Sequence, residues 1–238
     1  MFNWFQDIFY LPILNLLIFF YNTIAFHNLG LAIILVTLLI RIVLFPFFHK
    51  GAKQQMLMQR IQPKVKKIQE EHKKDMQKQS EALMALYKEH GINPFSSFLL
   101  LLIQLPILIA LYWAVRSGLG SGTIAGLYSF VPAPATINTM FLGFINLAVP
   151  SIVLILLAAV AQYFQARLAI YKQPAGHTLS PTEKIARQMS FIGPVMTIVI
   201  FYSLPAAVGL YWLVASLFSI VQQIFVNRHL EEKYGAAG

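Results

Sequence analysis

The chain has 238 residues, 58% of them hydrophobic and 11% charged, with a mean hydropathy of +0.65 and a net charge of +9. Such a composition, with several apolar runs near the roughly 20 residues that cross a bilayer, excludes an ordinary soluble domain and indicates an all-α polytopic membrane protein. The absence of cysteine excludes structural disulfides, thiolate metal sites and a lipid-modified cysteine.

The N-terminus carries Asp7 and lacks the basic region and small-residue cleavage site of a secretory signal, so it is expected to belong to the mature protein. From Ile8 to Phe26 the chain is apolar but broken by Pro12, Asn15 and Asn22. Residues 1–28 are expected to form an amphipathic helix in the outer membrane interface, because a spanning helix would leave a cytoplasmic N-terminus without Lys or Arg.

Residues 29–226 are expected to form a core of five transmembrane helices: Leu29 to Phe48, Phe95 to Val115, Val149 to Leu168, Met189 to Leu204 and Ala206 to Val226. Charge sets the orientation. Ten of the 18 Lys and Arg lie between Lys50 and Lys88, four between Arg167 and Arg187 and two after Asn227, whereas Ser117 to Ala148 has no charge. The basic segments are therefore cytoplasmic, as is the C-terminal tail, residues 227–238. Basic residues grouped along the membrane in this way give no reason to expect direct nucleic-acid binding.

Within the core, residues 50–93 predict a cytoplasmic helical hairpin. Ile61, Val65 and Ile68 form one apolar stripe and Met76, Leu83, Met84 and Tyr87 another, with a turn near His72 to Asp75. Pro63 marks the start of the regular first arm, and Gly91 with Pro94 closes the second. Met56, Met58, Met76 and Met84 are candidates for contact with varied apolar clients, or they hold the hairpin together. The small-residue loop around Gly118 to Gly126 is read as an ordinary connection.

Arg41 is the most informative residue. An ionised guanidinium costs about 2.5 to 3.5 kcal/mol at the bilayer centre, so it either snorkels to the interface or faces a wet cavity. No Asp or Glu occurs in any span to pair with it. Polar or small residues also recur on one face of each span: Thr37 one turn before Arg41; Ser97, Gln104, Leu108 and Tyr112; Ser151, Ile155, Ala158, Gln162 and Gln165; Ser190, Gly193 and Thr197; Gly209, Trp212, Ser216, Ser219 and Gln223. Such faces serve either close helix packing or a groove. With Arg41 present, the expectation is a water-containing groove lined by Arg41, Thr37, Gln104, Gln162, Gln165, Thr197, Trp212, Ser216 and Ser219.

Catalytic constellations are missing from the sequence. His27, His49, His72, His90, His177 and His229 are scattered without metal-ligand spacing, and there is no G-x-S-x-G, H-E-x-x-H or nucleotide motif. Neither enzymatic activity, a metal nor a cofactor is expected.

The order of features resembles the YidC-type membrane protein insertase family from about Pro12 to Gln223. Gly30 through Arg41 to Pro46 is similar to that family's first core span. Gln62-Pro63-Lys64, Leu86-Tyr87-Lys88 and Gly91 through Pro94 resemble its cytoplasmic loop. Gln104-Leu105-Pro106 with Leu111-Tyr112-Trp113 resembles the second core span, and Gly209 through Trp212 to Gln222-Gln223 the last. The sequence departs from the family at Ser96-Ser97-Phe98, at Ala207 and in its short charge-balanced tail, where Arg228 and Lys233 face Glu231 and Glu232. It looks like a compact member without a large extracytoplasmic domain.

The resemblance implies a membrane insertase and chaperone of the bacterial plasma (inner) membrane. Its hydrophilic groove, closed outward and open to cytoplasm and lipid, would take Arg41 as its arginine and Trp212 as its last-span aromatic. Nascent membrane proteins and lipids are the implied partners, with the ribosome and the Sec translocon left open. Two other classes remain on the residues alone: a small-anion channel or carrier with Arg41 as its site, or a structural scaffold whose stripes are buried against a partner. Water-soluble thiol reagents directed at cysteines introduced at Thr37, Gln104 and Ser216 distinguish groove from scaffold.

Overall fold

A computed structural model describes residues 3–93, 95–118, 124–170 and 181–234. The fold is mostly helical. Short turns α1 (Asn3–Phe5) and a π-helical stretch (Gln6–Tyr10) lead into α2 (Leu11–Thr23). There follow α3 (Leu29–Val43), α4 (Phe45–Arg60), α5 (Gln62–Glu71), α6 (Met76–Glu89), α7 (Ser96–Gly118), α8 (Ile152–Leu168), α9 (Pro181–Phe201) and α10 (Ala206–Tyr234). One small antiparallel hairpin, β1 (Met140–Phe141) and β2 (Ile145–Asn146), pairs Met140 with Asn146 and Phe141 with Ile145.

Among the described residues one helix, Ala206–His229, is by itself long and apolar enough to cross a membrane, with a mean hydropathy of 1.6. Leu29–Val43 and Phe45–Arg60 pass that test only together, bent by 68°. Leu102–Arg116, Ile152–Leu168 and Ser190–Phe201 are shorter apolar helices.

That bend corrects the expected first span, Leu29 to Phe48. Pro46 lacks an N–H and its ring conflicts with the carbonyl four residues back, so it fits most easily in a helix's first turn, its place in α4, although Pro106 and Pro194 sit inside α7 and α9. The chain accordingly ends α3 at Val43 and starts α4 at Phe45, with the Leu44 carbonyl accepting from the N–H groups of Phe47 and Phe48 at 3.1 Å each. Helix α4 then runs across the bundle, packing on α7 and α10. The hairpin proper is therefore only α5 and α6.

Ile61, Val65, Leu86 and Ile92 form the hairpin core, with Ile68, Leu83 and Tyr87 at its margin. The Asp75 side chain caps α6 by accepting from the Lys78 N–H at 3.1 Å. Gly91, at φ 62°, supplies the left-handed residue that ends α6. Met56 is 4% exposed and packs with Val226 of α10, so it cannot present its thioether to a client. This is a correction, and its cause is the course of α4. Met58 lies at the edge of the hairpin core, whereas Met76 and Met84 are 73% and 53% exposed.

At the opposite end the loop before α8 is well anchored. Asn28 caps α3, accepting from the Leu31 N–H at 3.1 Å, and donates to the Met140 carbonyl at 3.0 Å. The Phe141 ring lies so close to Gly30 that any side chain there would overlap it. Helix α2 is tied beneath the same loop along its length. Asn15 donates to the Gly126 carbonyl at 3.0 Å and accepts from the Tyr128 N–H at 2.6 Å, and Asn22 donates to the Pro132 carbonyl at 2.8 Å. Its apolar face, Leu14, Leu17, Ile18 and Tyr21, joins α3 and α7 in the main core. The loop read as an ordinary connection thus contributes buried Val131, Phe141, Ile145 and Leu147 to that core, although residues 119–123 lie outside the described residues.

Asn15→Ala should leave the part-buried Gly126 carbonyl and Tyr128 N–H without this partner and destabilise the protein by about 1 to 2 kcal/mol, or roughly 2 to 8 °C of melting temperature in detergent. Asn22→Ala, at an exposed bond, should cost much less.

Candidate functional site

Arg41 occupies the last turn of α3, where a cation complements the helix C-terminus. It is only 7% exposed and points into the bundle. The 68° turn brings Phe48 of α4 back under it, with the guanidinium carbon 4.3 Å from the ring centroid, a cation–π contact. Arg41 Nη2 donates to Gln104 Oε1 at 3.4 Å, and Gln104 Nε2 donates to the Tyr211 hydroxyl. A single amide thus links α3 and α7 to α10.

Beside this group is a cavity of about 350 Å³. At about 30 Å³ per molecule it has room for roughly ten waters. Gln162 and Gln165 of α8, Ser190 and Gly193 of α9, and Ser216, Ser219, Gln222 and Gln223 of α10 form its polar wall, with Phe48 and Gln55 from α4 and Trp212 completing it. No Asp or Glu lines it among the described residues.

Seven of the nine expected groove residues meet here: Arg41, Gln104, Gln162, Gln165, Trp212, Ser216 and Ser219. Thr37 and Thr197 do not line the cavity. The buried Thr37 hydroxyl donates to the Ile33 carbonyl of its own helix at 2.6 Å, the usual way a mid-helix threonine satisfies itself. Thr197 instead donates to Gln162 Oε1 and fixes the orientation of that amide from behind.

The polar stripes divide along their length. Ile155, Ala158 and Gly209 pack in carbon toward the loop end, where Phe201 and Val208 close the bundle and Trp212 sits edge-on to Phe201 at 5.3 Å. Toward the hairpin end the same two helices present glutamine and serine to the cavity. Ala166 and Ala169 continue the lining to the foot of α8, where Gln59 of α4 donates to the Ala169 carbonyl at 2.9 Å. Ser97 belongs to a stretch whose side chains are outside those described.

Phe48, Gln55, Gln222 and Tyr211 were not assigned to the groove by spacing. Phe48 and Gln55 follow the helix break, which a continuous helix hides. Gln222 donates to the Phe45 carbonyl at 3.4 Å, covering a backbone group at that break. Tyr211 acts through Gln104. The Trp212 Nε1–H is buried without an acceptor among the described residues, which leaves the cavity wall one unused donor.

The chain as a whole has known relatives. A family model described as 60Kd inner membrane protein matches residues 19–233. A membrane protein insertase YidC of Clostridium tetani is 36% identical over 210 residues, covering 88% of this chain and 86% of the relative. Another of that name from Wolinella succinogenes is 34% identical over 210 residues; the chain spans only 35% of its length. A crystal structure described as an active YidC insertase with its first transmembrane domain resolved superposes with a TM-score of 0.62 at 27% identity, covering 92% of this chain and 46% of that one.

Cysteines introduced at Ser216 and Ser219 should react with a membrane-impermeant thiol reagent added on the hairpin side. Thr37→Cys, behind the wall, and Leu156→Cys, on an outward apolar face, should stay unlabelled. Equal protection at all four positions would indicate a scaffold with a dry interior.

Proposed function

Since the chain belongs to the 60Kd inner membrane protein family of bacterial inner membranes, we propose that it inserts nascent membrane proteins into the bilayer through the cavity around Arg41. The observation that carries this reading is a buried guanidinium whose partners among the described residues are neutral, beside a polar cavity.

In this reading α3, α7, α8, α9 and α10 cross the membrane, the hairpin and C-terminus are cytoplasmic, and α2 lies in the outer interface. The ten basic residues between Lys50 and Lys88 support that orientation, as do the bonds that strap α2 under the uncharged loop from Asn15 to Asn22. Arg41 lies twelve residues, about 18 Å, from the start of α3. A wet cavity reaching it shortens the apolar path from about 30 Å to about 18 Å.

A client's translocated segment often carries carboxylates or other polar groups. Arg41 attracts them into the cavity, where a charge pair at 4 Å is worth on the order of 4 kcal/mol at an effective dielectric of 20. Gln104 yields its place on the guanidinium to the incoming carboxylate. The client's apolar helix leaves sideways between α7 and α9. Both contribute to the cavity lining, α7 through Gln104 and α9 through Ser190, Gly193 and Pro194, yet α9 packs mainly on α8 and α7 mainly on α4, α2 and the π-helical stretch, and both turn apolar residues such as Ile109 and Val195 outward. Burial of the client's side chains in lipid then draws the helix out of the cavity. The exposed Met76 and Met84 offer an adaptable first contact on the hairpin. The scheme consumes no nucleotide.

In proteoliposomes, Arg41→Ala should lower insertion of a client with an acidic translocated segment by about fivefold or more, since even a water-screened pair at 4 Å contributes about 1 kcal/mol. Arg41→Lys should retain most activity, and a client whose segment is neutral should be indifferent to both. Equal insertion of the acidic client by all three proteins overturns the electrostatic role.

A further inference from the structure

Behind Arg41, on the opposite side of α3, lies a second cavity of about 480 Å³ whose walls are apolar side chains throughout. Ile13 and Leu16 of α2 line one side, Leu39 and Val43 of α3 another, and Ile103 and Ile107 of α7 a third. Leu39 and Val43 are among the exposed apolar residues, so the cleft opens sideways. It exists because α2 packs on both α3 and α7 and holds these two apart, each having its principal contacts elsewhere.

We infer that this cleft holds one acyl chain of an anionic glycerophospholipid of the cytoplasmic leaflet, with its phosphate met by Lys50. Three observations select this occupant. The walls present no polar group to pair with a peptide or solute, so what fills the cleft is hydrocarbon. Its volume suits a slender chain. A single turn of helix about 10 Å wide and 5.4 Å long takes up roughly 420 Å³, so the cleft offers a client helix room for little more than one turn.

The third observation is charge. Leu44 lines the cleft at the helix break, and Lys50 follows six residues later on α4, about 9 Å along its axis. Gln54, one turn beyond Lys50, faces the start of α7, donating to the Gly91 carbonyl at 3.2 Å and accepting from the Asn93 N–H at 3.0 Å. Lys50, one turn before Gln54, shares that face of α4 and is exposed, which lets it serve headgroups at the hairpin end of the cleft. Its flexible four-carbon stem lets the ammonium reach a phosphate there. The inference rests on the proposed orientation, in which that mouth faces the cytoplasmic headgroups. Functionally, such a lipid would support α3 from behind and keep Arg41 turned toward the polar cavity.

The test reconstitutes the full chain into phosphatidylcholine vesicles containing a trace of phosphatidylglycerol with a diazirine in one acyl chain; a parallel set carries the diazirine on phosphatidylcholine. After irradiation, label from phosphatidylglycerol should concentrate on peptides bearing Leu39 to Leu44 and Leu102 to Ile107. Ile103→Trp, which fills the cleft, should remove most of it. Lys50→Gln, a surface change that leaves the fold intact, should lower it about fivefold, the factor expected for one lysine near an anionic headgroup.

Equal labelling by the two lipids, label spread evenly onto outward residues of α9 such as Val195 and Val199, or capture of a client helix by a photoreactive residue at Ile103 would each overturn the inference. Client insertion is measured in the same vesicles. Insertion without selective label refutes the lipid site alone, and selective label without insertion refutes the insertase reading alone.

Discussion

A guanidinium kept charged inside a helical bundle without a carboxylate is the constraint to which the rest of this structure answers. Burying an unpaired charge is among the costliest arrangements a protein can hold. Arg41 is stabilised by the Phe48 ring, by the Gln104 carbonyl and by a cavity with room for water. Each partner is neutral, and the 3.4 Å bond to Gln104 is longer than the 2.7 to 2.9 Å common for charge-assisted pairs. A resident Asp or Glu would shorten that contact and neutralise the site permanently. Neutral, long-range partners instead keep the cation buried and still exchangeable, which is what the proposed capture of a client's carboxylate requires.

The helix break at Leu44 connects this site to the hairpin of α5 and α6. Pro46 takes its favoured place in the first turn of α4, which starts afresh after Leu44 and turns by 68°. That turn puts Phe48 beneath Arg41, gives α4 its contacts with α7 and α10, and places Gln222 against the Phe45 carbonyl at the break. One proline thereby sets the floor of the cavity, the direction from which α5 and α6 leave, and the loss of Met56 from the exposed surface.

Much of this was legible in the sequence because it rests on periodicity and charge. The hairpin's first stripe, the turn at His72 to Asp75, and the convergence of Arg41, Gln104, Gln162, Gln165, Trp212, Ser216 and Ser219 follow from residues three or four apart on one helical face, whereas the second stripe holds only at Leu83 and Tyr87, with Met76 and Met84 exposed and Leu86 in the core instead. What stayed hidden depends on where a helix stops and on the third dimension of packing. A run from Leu29 to Phe48 reads as one span by hydropathy, although its proline already carried the signal for a break. Thr37 and Thr197 share the phase of the groove, but a threonine hydroxyl can bond its own helix or a neighbouring amide as readily as water. The anchoring of α2 under the loop depends on asparagine contacts more than a hundred positions apart, which no local pattern contains.

The contrast between the two ends of the bundle sets the direction in which the cavity can work. Helices α8 and α10 run through both halves, and each changes character at the same depth, from Ala158 to Gln162 on one and from Gly209 and Trp212 to Ser216 on the other. Above that depth Ile155, Phe201 and Val208 pack in carbon, with Trp212 against them. Arg41 and Gln104 stand at this boundary, with the indole N–H of Trp212 as a further unused donor. In the proposed function, a polar segment drawn in from the hairpin side meets Arg41 at this boundary, with the carbon packing of Ile155, Phe201 and Val208 beyond it. A carrier needs a route to both faces and a site it can release from either one. The carbon seal above Trp212 favours a device that lowers one side of the barrier and lets the client's own hydrophobic helix complete the crossing.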